Sequence, residues 1–190
     1  MKLKGSETEK NLLKAFAGES QARNRYTYFS SVARKEGYEQ ISAIFTETAD
    51  NEKEHAKLFF QLLQGGDVEI TASYPAGVIG TTAENLRAAA AGEKLEWTTL
   101  YPNFSDVAKQ EGFERIEETF REVASVEVHH EERYLKLLKN VESGTVFKRP
   151  KTVRWLCRNC GNILEAADVP DKCPVCYHPR AFFELFVENY

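Results

Sequence analysis

The sequence predicts a mainly α-helical protein: four long helices in an antiparallel bundle with one long crossover, followed by a small C-terminal metal-binding module. Three observations carry this reading. The chain repeats itself over most of its length, its apolar residues recur at helical spacing between punctuating glycines, and all four cysteines lie in the tail as two C-x-x-C pairs.

The repeat shows which residues occupy equivalent places. Asn11-Leu12, Ala15 and Ala17-Gly18-Glu19 recur as Asn85-Leu86, Ala89 and Ala91-Gly92-Glu93, a lag of 74 residues. Further on, Tyr26, Phe29, Val32-Ala33, Glu36-Gly37, Ile41, Phe45, Glu52 and His55 reappear as Tyr101, Phe104, Val107-Ala108, Glu111-Gly112, Ile116, Phe120, Glu127 and His130 at a lag of 75.

Each half then reads as two helices joined at Gly37 or Gly112, whose left-handed backbone ends the first helix of the pair. The four helices fall near 8–36, 38–64, 82–111 and 113–140. Thr81-x-x-Glu84 offers a capping box for the third. The breaks at the glycines are short enough for hairpins, whereas Gly65 to Thr81, with Pro75 inside it, can run the length of a bundle. Two hairpins and one long crossover describe a ferritin-like four-helix bundle.

The change of lag places one extra residue between Glu93 and Tyr101, beside Pro102, which lacks the amide hydrogen of a normal helical bond. Helices commonly absorb such an insertion as a π-bulge, and π-bulges gather at functional sites. A π distortion between Glu93 and Pro102 is expected, with a plain proline kink as the alternative. After the bundle, residues 1–140, the stretch 141–153 with Ser143-Gly144 and Pro150 reads as a linker, and 154–190 as the separate module.

A formal net charge of -4 gives no reason to expect nucleic acid or an anionic membrane as partner. The longest apolar stretches fall short of a membrane span, and MKLKGSETEK lacks the apolar core of a secretory signal, so a cytoplasmic location is expected. In that reducing compartment, Cys157, Cys160, Cys173 and Cys176 read as metal ligands rather than as two disulfides.

Glu52-x-x-His55 and Glu127-x-x-His130 each set a carboxylate and an imidazole one turn apart on a single helix face. Glu19 and Glu93 take the matching place on the other helix of each hairpin. A Glu from each of two helices and a Glu-x-x-His from each of the other two is the ligand pattern of ferritin-like di-iron and di-manganese proteins. Inward carboxylates would repel one another and resist ionisation unless cations neutralised them. Hard oxygen ligands with imidazole suit iron or manganese. In the expected geometry Glu52 and Glu127 bridge two metals, Glu19 and His55 complete one site, and Glu93 and His130 the other. A Glu-rich helix face is ordinarily just solvated, but two copies at matching places in a repeat are not explained that way.

Glu96 breaks the symmetry, one turn beyond Glu93 and inside the presumed bulge. A seventh potential ligand of this kind suits exchange with redox state, since a carboxylate favours the more highly charged ferric ion and neutral imidazole can serve the ferrous one. Tyr26 and Tyr101, about two turns beyond Glu19 and Glu93, either hydrogen-bond ligating carboxylates or simply fill the core. His129, Glu54 and Glu131 lie off the metal-facing stripe and are expected at the surface.

Cys157-Arg-Asn-Cys160-Gly161 and Cys173-Pro174-Val175-Cys176 form two knuckles separated by twelve residues, with Trp155 and Phe182-Phe183 available for a small core. Such a segment needs a metal or another staple to fold. One tetrahedral iron of the rubredoxin kind is favoured over a structural zinc, because a redox-active neighbour gives a one-electron carrier a purpose. His178 is expected at the surface, four thiolates already saturating the metal.

With both sets of residues in view, the sequence resembles the rubrerythrin family across essentially its whole length. Ala17-Gly18-Glu19, Ala91-Gly92-Glu93-Lys94-Leu95-Glu96, the paired Glu-x-x-His motifs and the Cys-Arg-Asn-Cys-Gly and Cys-Pro-x-Cys knuckles carry the resemblance. It implies a non-haem di-iron centre that reduces hydrogen peroxide to water, as an NAD(P)H-linked peroxidase. Electrons would come from a separate NAD(P)H-dependent reductase, often through a separate rubredoxin. It further implies that the metal near Glu19 exchanges His55 for Glu96, and that a head-to-tail homodimer brings the cysteine module of one subunit beside the di-iron site of the other. The competing reading is a ferroxidase or iron-handling protein of the ferritin type, against which the thiolate module speaks, since storage needs no dedicated electron inlet.

Overall fold

The computed structural model describes residues 2–189; Met1 and Tyr190, the outer ends of the two expected domains, lie outside the described residues. The bundle consists of α1 (Glu7–Lys35), α2 (Glu39–Leu62), α3 (Thr82–Leu95), a π-helical turn (Glu96–Leu100), α4 (Tyr101–Gln110) and α5 (Glu114–Glu142). α1 packs chiefly on α2, and the α3–π–α4 rod chiefly on α5, so each repeat is one antiparallel hairpin. The chain from Leu63 to Thr81 that joins them contains no regular element.

Both hairpins turn in the same way, because both halves place glycine where the backbone must enter the left-handed region. Gly37 has φ +84° and Gly112 φ +75°. Tyr38 N–H donates to Ala33 C=O and Phe113 N–H to Ala108 C=O, each at 2.8 Å, the six-to-one bond of a Schellman stop. The glutamate preceding each glycine then braces the opposite half. Glu36 accepts from Thr82 N–H at 3.0 Å, and Glu111 from Thr8 N–H at 2.8 Å, satisfying amides that the start of a helix leaves free. Ser6 caps α1, and Thr81 with Glu84 forms the expected capping box on α3.

The third helix does carry a π turn, and it spans Glu96–Leu100, within the interval that the shifted lag marks. Pro102, which has no amide hydrogen to donate, follows directly in the first turn of α4.

Two apolar clusters fill the bundle, and the repeat relates them. One holds Tyr26, Phe45, Leu86 and Tyr134; the other holds Leu12, Phe59, Tyr101 and Phe120. On every helix, residues of one cluster lie before and residues of the other after Glu19, Glu52, Glu93 or Glu127, so a polar layer separates them.

The tail is a three-stranded antiparallel sheet of order β2-β1-β3, from β1 (Lys148–Cys157), β2 (Ile163–Asp168) and β3 (Phe183–Leu185). Trp155 is fully buried among Cys157, Val169, Cys173 and Phe183, and its Nε1–H donates to Ala166 C=O at 3.0 Å. The segment read as a linker is mostly regular: Val141 and Glu142 complete α5 and 148–153 belong to β1, leaving only 143–147 irregular. Pro150 and the basic side chains sit on a strand with a register irregularity between Lys148 and Val153, where a missing ladder donor is tolerated. Tyr38 stacks on Phe147 at 6.0 Å, and the 3₁₀ turn Arg180–Phe182 touches α2, so the module seats at the α1–α2 turn.

Replacing Gly112 by alanine should cost about 1–2 kcal/mol, the penalty of a side chain in the left-handed region. A urea titration would then show a lower midpoint with the slope unchanged.

Candidate metal centre

Helix spacing brings the predicted ligands into one layer. Glu19, Glu52, His55 and Glu127 offer ligand atoms all within 4.8 Å of one another, and so do Glu52, Glu93, Glu127 and His130. Glu52 and Glu127 belong to both groups, and their two oxygens divide between the two imidazoles. His55 Nδ1 stands 2.9 Å from Glu52 Oε2 and 3.0 Å from Glu127 Oε1; His130 Nδ1 stands 2.7 Å from Glu127 Oε2 and 3.2 Å from Glu52 Oε1. Glu19 Oε1 lies 3.9 Å from His55 Nδ1.

These residues fit a pair of cations and little else. Glu19 Oε2, both oxygens of Glu52 and of Glu127, and Nδ1 of His55 and of His130 are buried with no hydrogen-bond partner among the described residues. The nitrogen–oxygen contacts are short but off hydrogen-bond geometry, as expected for lone pairs aimed at a common point. An unpaired buried polar atom costs about 1–3 kcal/mol, so a set of this size would rival the stability of a whole domain, ~5–15 kcal/mol. Four carboxylates also balance the charge of two divalent ions.

The expected tyrosine bonds form, but crosswise. Tyr26 Oη–H of the first half donates to Glu93 Oε1 of the second at 2.5 Å, and Tyr101 Oη–H of the second donates to Glu19 Oε1 of the first. Both rings are also core, 2% exposed, so the two readings of these tyrosines hold together. Each hydroxyl occupies one oxygen of a carboxylate that belongs to only one of the two groups and fixes its orientation.

Glu96, first residue of the π turn, stands half-buried outside both groups. Burial, then the neighbouring Glu93, push its carboxyl well above the usual range. His129 and Glu54 are exposed as expected. Glu131 is not a free surface group: it is half-buried and accepts Trp97 Nε1–H at 2.6 Å, tying the π turn to α5. Trp97 escapes sequence reasoning because its partner lies on another helix. Tyr134 escapes too, although its place opposite Phe59 in the repeat offers a signal. It is fully buried and meets Tyr26 edge-on at 5.5 Å.

The four cysteines form the second centre. Cys157 Sγ lies 3.8 Å from Cys176 Sγ, and Cys160 Sγ 3.7 Å from Cys173 Sγ. These distances exceed a disulfide and match the edge of a tetrahedron with metal–sulfur bonds of about 2.3 Å, which is ~3.8 Å. Gly161 at φ +76° and Tyr177 at φ +60° take equivalent left-handed positions after the second cysteine of each knuckle. The N–H of His178 holds the Cys176 thiol down to about 6, favouring its thiolate form. Cys157 and Cys173 are buried while Cys160 is exposed. His178 is half-buried against Phe182 and is no ligand of this group.

Two sets of carboxylates and imidazoles sharing a bridging pair within four helices define a carboxylate-bridged di-metal protein of the ferritin-like class, here joined to a four-cysteine module. The rubrerythrin family profile matches residues 10–138, and that of the rubrerythrin rubredoxin-like domain matches 155–184. The chain is 61% identical over 188 residues to a rubrerythrin of Porphyromonas gingivalis, covering 99% of this chain and 94% of that one. It is 53% identical over 188 residues to a rubrerythrin of Nitratidesulfovibrio vulgaris, covering 99% and 98%. The chain therefore belongs to the rubrerythrin family. Among solved structures, a nigerythrin described as fully reduced and all ferrous has a TM-score of 0.62 at 32% identity, covering 96% of this chain and 87% of that one. The bacterioferritin BfrA of Mycobacterium tuberculosis, at 17% identity and TM-score 0.62 over 72% of this chain and 87% of that one, shares the fold.

Without metal the site holds protons instead. Burial, then Glu96 for Glu19 and Glu52 for Glu93, raise both carboxyls well above 4.5. Burial opposes charge on the two imidazoles, but Glu127 and Glu52 outweigh it and hold His55 up to about 11 and His130 up to about 9. Each of these groups keeps a proton that the unfolded chain releases. Their stabilisation is therefore complete below the unfolded values, 4.5 and 6.5, and is lost as pH rises toward the folded ones. Glu127 acts oppositely: burial raises it, yet the two imidazoles prevail and lower it, so its contribution is lost in acid. Chelator-stripped protein should lose Tm between about pH 6.5 and about pH 9, while metal-loaded protein, whose ligands must be deprotonated, holds or gains. Calorimetry across that range checks it; a flat Tm for the stripped form contradicts the proton-holding site.

Proposed function

We propose that this protein is a non-haem di-iron peroxidase that reduces hydrogen peroxide to water, with electrons arriving through an iron held by Cys157, Cys160, Cys173 and Cys176. The observation that carries the reading is the division of the Glu52 and Glu127 oxygens between two sites in a chain that also holds a thiolate cluster. Glu19, Glu52, His55 and Glu127 would hold one iron, and Glu52, Glu93, Glu127 and His130 the other. Iron is supported by the mixed oxygen and imidazole donors and by the ferrous state described for the nigerythrin relative. Zinc in the four-cysteine site of purified protein is the competing occupant.

When bound, the irons supply two electrons and Lewis acidity to the O–O bond. The chain supplies the rest. Reduction consumes two protons with the two electrons and yields two waters. Glu96 lies on the open side of the layer, where a carboxyl can hold a proton or turn inward in place of His55. Tyr26 and Tyr101 keep Glu93 and Glu19 from swinging as the charge of the site changes. The apolar clusters on both sides limit water to this layer.

An NAD(P)H-dependent reductase, directly or through a separate rubredoxin, is the proposed donor to the thiolate-bound iron, whose Cys160 side faces solvent. Tyr38, beside the module, and His55 are 17 residues apart on one helix, ~25 Å at the helical rise. That length supports a head-to-tail homodimer, in which the partner's module serves each di-iron site. A ferritin-type ferroxidase would share the bundle but leave the thiolate cluster without a task.

Anaerobically purified protein should contain three irons per chain, show the red colour of thiolate-bound iron, and oxidise NADH only with peroxide and a reductase present. Glu96→Ala should lower turnover by about 10-fold or more with the helical and thiolate–iron spectra unchanged. Undiminished turnover would remove Glu96 from the reaction.

A further inference from the structure

A cavity of about 410 Å³ opens between α1 and the α3–π–α4 rod, beneath the crossover at Tyr74 and Pro75. Tyr26, Glu96 and Tyr101 line its inner end, and the two tyrosines touch the carboxylates of the metal layer. Ala22, Leu95, Leu100 and Phe104 give it apolar walls, and Lys14, Gln21 and Arg25 form the polar part on α1. Hydrogen peroxide is little larger than a water molecule and has no use for such walls. A mostly apolar space within about 300–1,000 Å³, closed at one end by a few polar groups, is the form of a small-molecule pocket.

Two helix-interior glycines point the same way. Gly18 and Gly92 occupy matching places in the repeat and both line the cavity. A Cβ at Gly18 would meet nothing nearer than Tyr74 Cε1 at 3.9 Å, and one at Gly92 nothing nearer than Tyr26 Oη at 4.0 Å. Packing thus does not require glycine at either place, although each costs its helix ~1 kcal/mol relative to alanine. What the missing methyl groups leave is room beside Tyr26 at Gly92 and beneath Tyr74 at Gly18.

We infer that the site also reduces organic hydroperoxides, the apolar alkyl or aryl group lodging between Leu95, Leu100 and Phe104 while the O–O group reaches the inner end at Glu96. The inference rests on the peroxidase reading and names a second substrate class for it. The hydroperoxide O–O bond breaks, two electrons enter from the same reductant, and each oxygen takes one proton, giving one alcohol and one water.

The test uses fully iron-loaded protein and its reductase, with hydrogen peroxide and cumene hydroperoxide as alternative substrates. Both should be turned over. Leu95→Trp, at a position 43% exposed where a larger ring fills the cavity without entering the core, should lower the ratio of kcat/KM for cumene hydroperoxide to that for hydrogen peroxide by about 10-fold or more. A measurement that needs no turnover accompanies it: 2-phenyl-2-propanol, the same skeleton without an O–O bond, should bind the wild-type protein and bind Leu95→Trp about 10-fold more weakly in calorimetric titration. Turnover of hydrogen peroxide without cumene hydroperoxide overturns the inference and leaves the peroxidase reading standing, as does a ratio and an alcohol affinity that Leu95→Trp does not move. Failure of both substrates in loaded wild-type protein overturns the peroxidase reading and this inference with it.

Discussion

Everything in the bundle is arranged around one electrostatic problem, the burial of four carboxylates and two imidazoles in a layer with no other polar partners for most of their atoms. Apolar packing cannot solve it, since each charge taken out of water without a counter-charge costs several kcal/mol. Cations can, and the division of the Glu52 and Glu127 oxygens between the two imidazoles is consistent with two of them. The length of the helices follows. α1 and α5 run 29 residues each, enough to place an apolar cluster on either side of the polar layer and so to hold together a core cut in two.

Duplication makes the layer nearly symmetric, and the tyrosines make the halves interdependent. Because Tyr26 reaches Glu93 and Tyr101 reaches Glu19, each hairpin holds a buried carboxylate of the other. The helix-start braces obey the same rule, Glu36 serving Thr82 and Glu111 serving Thr8. The one inserted residue then breaks the symmetry on one side only. It winds Glu96–Leu100 into a π turn, and Trp97 anchors that turn to Glu131, the neighbour of His130. One hydrogen bond thus connects the segment bearing Glu96 to the helix bearing Glu127 and His130.

What could be read from the sequence is what repeats or recurs along a single helix. Glu52 with His55, and Glu127 with His130, declare themselves by one-turn spacing, and Glu19 and Glu93 by matching places in the repeat. The π turn was legible because an insertion changes the lag. Contacts between helices leave no such trace. The crosswise pairing of the tyrosines and the Trp97–Glu131 bond depend on which helices face each other. The cavity depends on where the crossover lays Tyr74 and Pro75, in a segment without periodicity. The 141–153 segment misled for a related reason: Pro150 and basic residues look like linker, yet an edge of β1 accommodates them.

The placement of the thiolate module is the last consequence of the fold. Its sheet is too small to hold a core beyond Trp155 and its few neighbours, so the bundle surface it touches adds to its support. That surface is the α1–α2 turn, where Ala181 lies beside Gly37 and Tyr38 stacks on Phe147. The turn is also the end of the hairpin, about as far from the carboxylate layer as the helix allows. The four sulfurs are thereby set apart from the carboxylate layer of the same chain, and among the described residues none of the module lines the cavity between α1 and the α3–π–α4 rod. The same contact that stabilises the module therefore also sets how far its four sulfurs stand from the carboxylate layer of the chain.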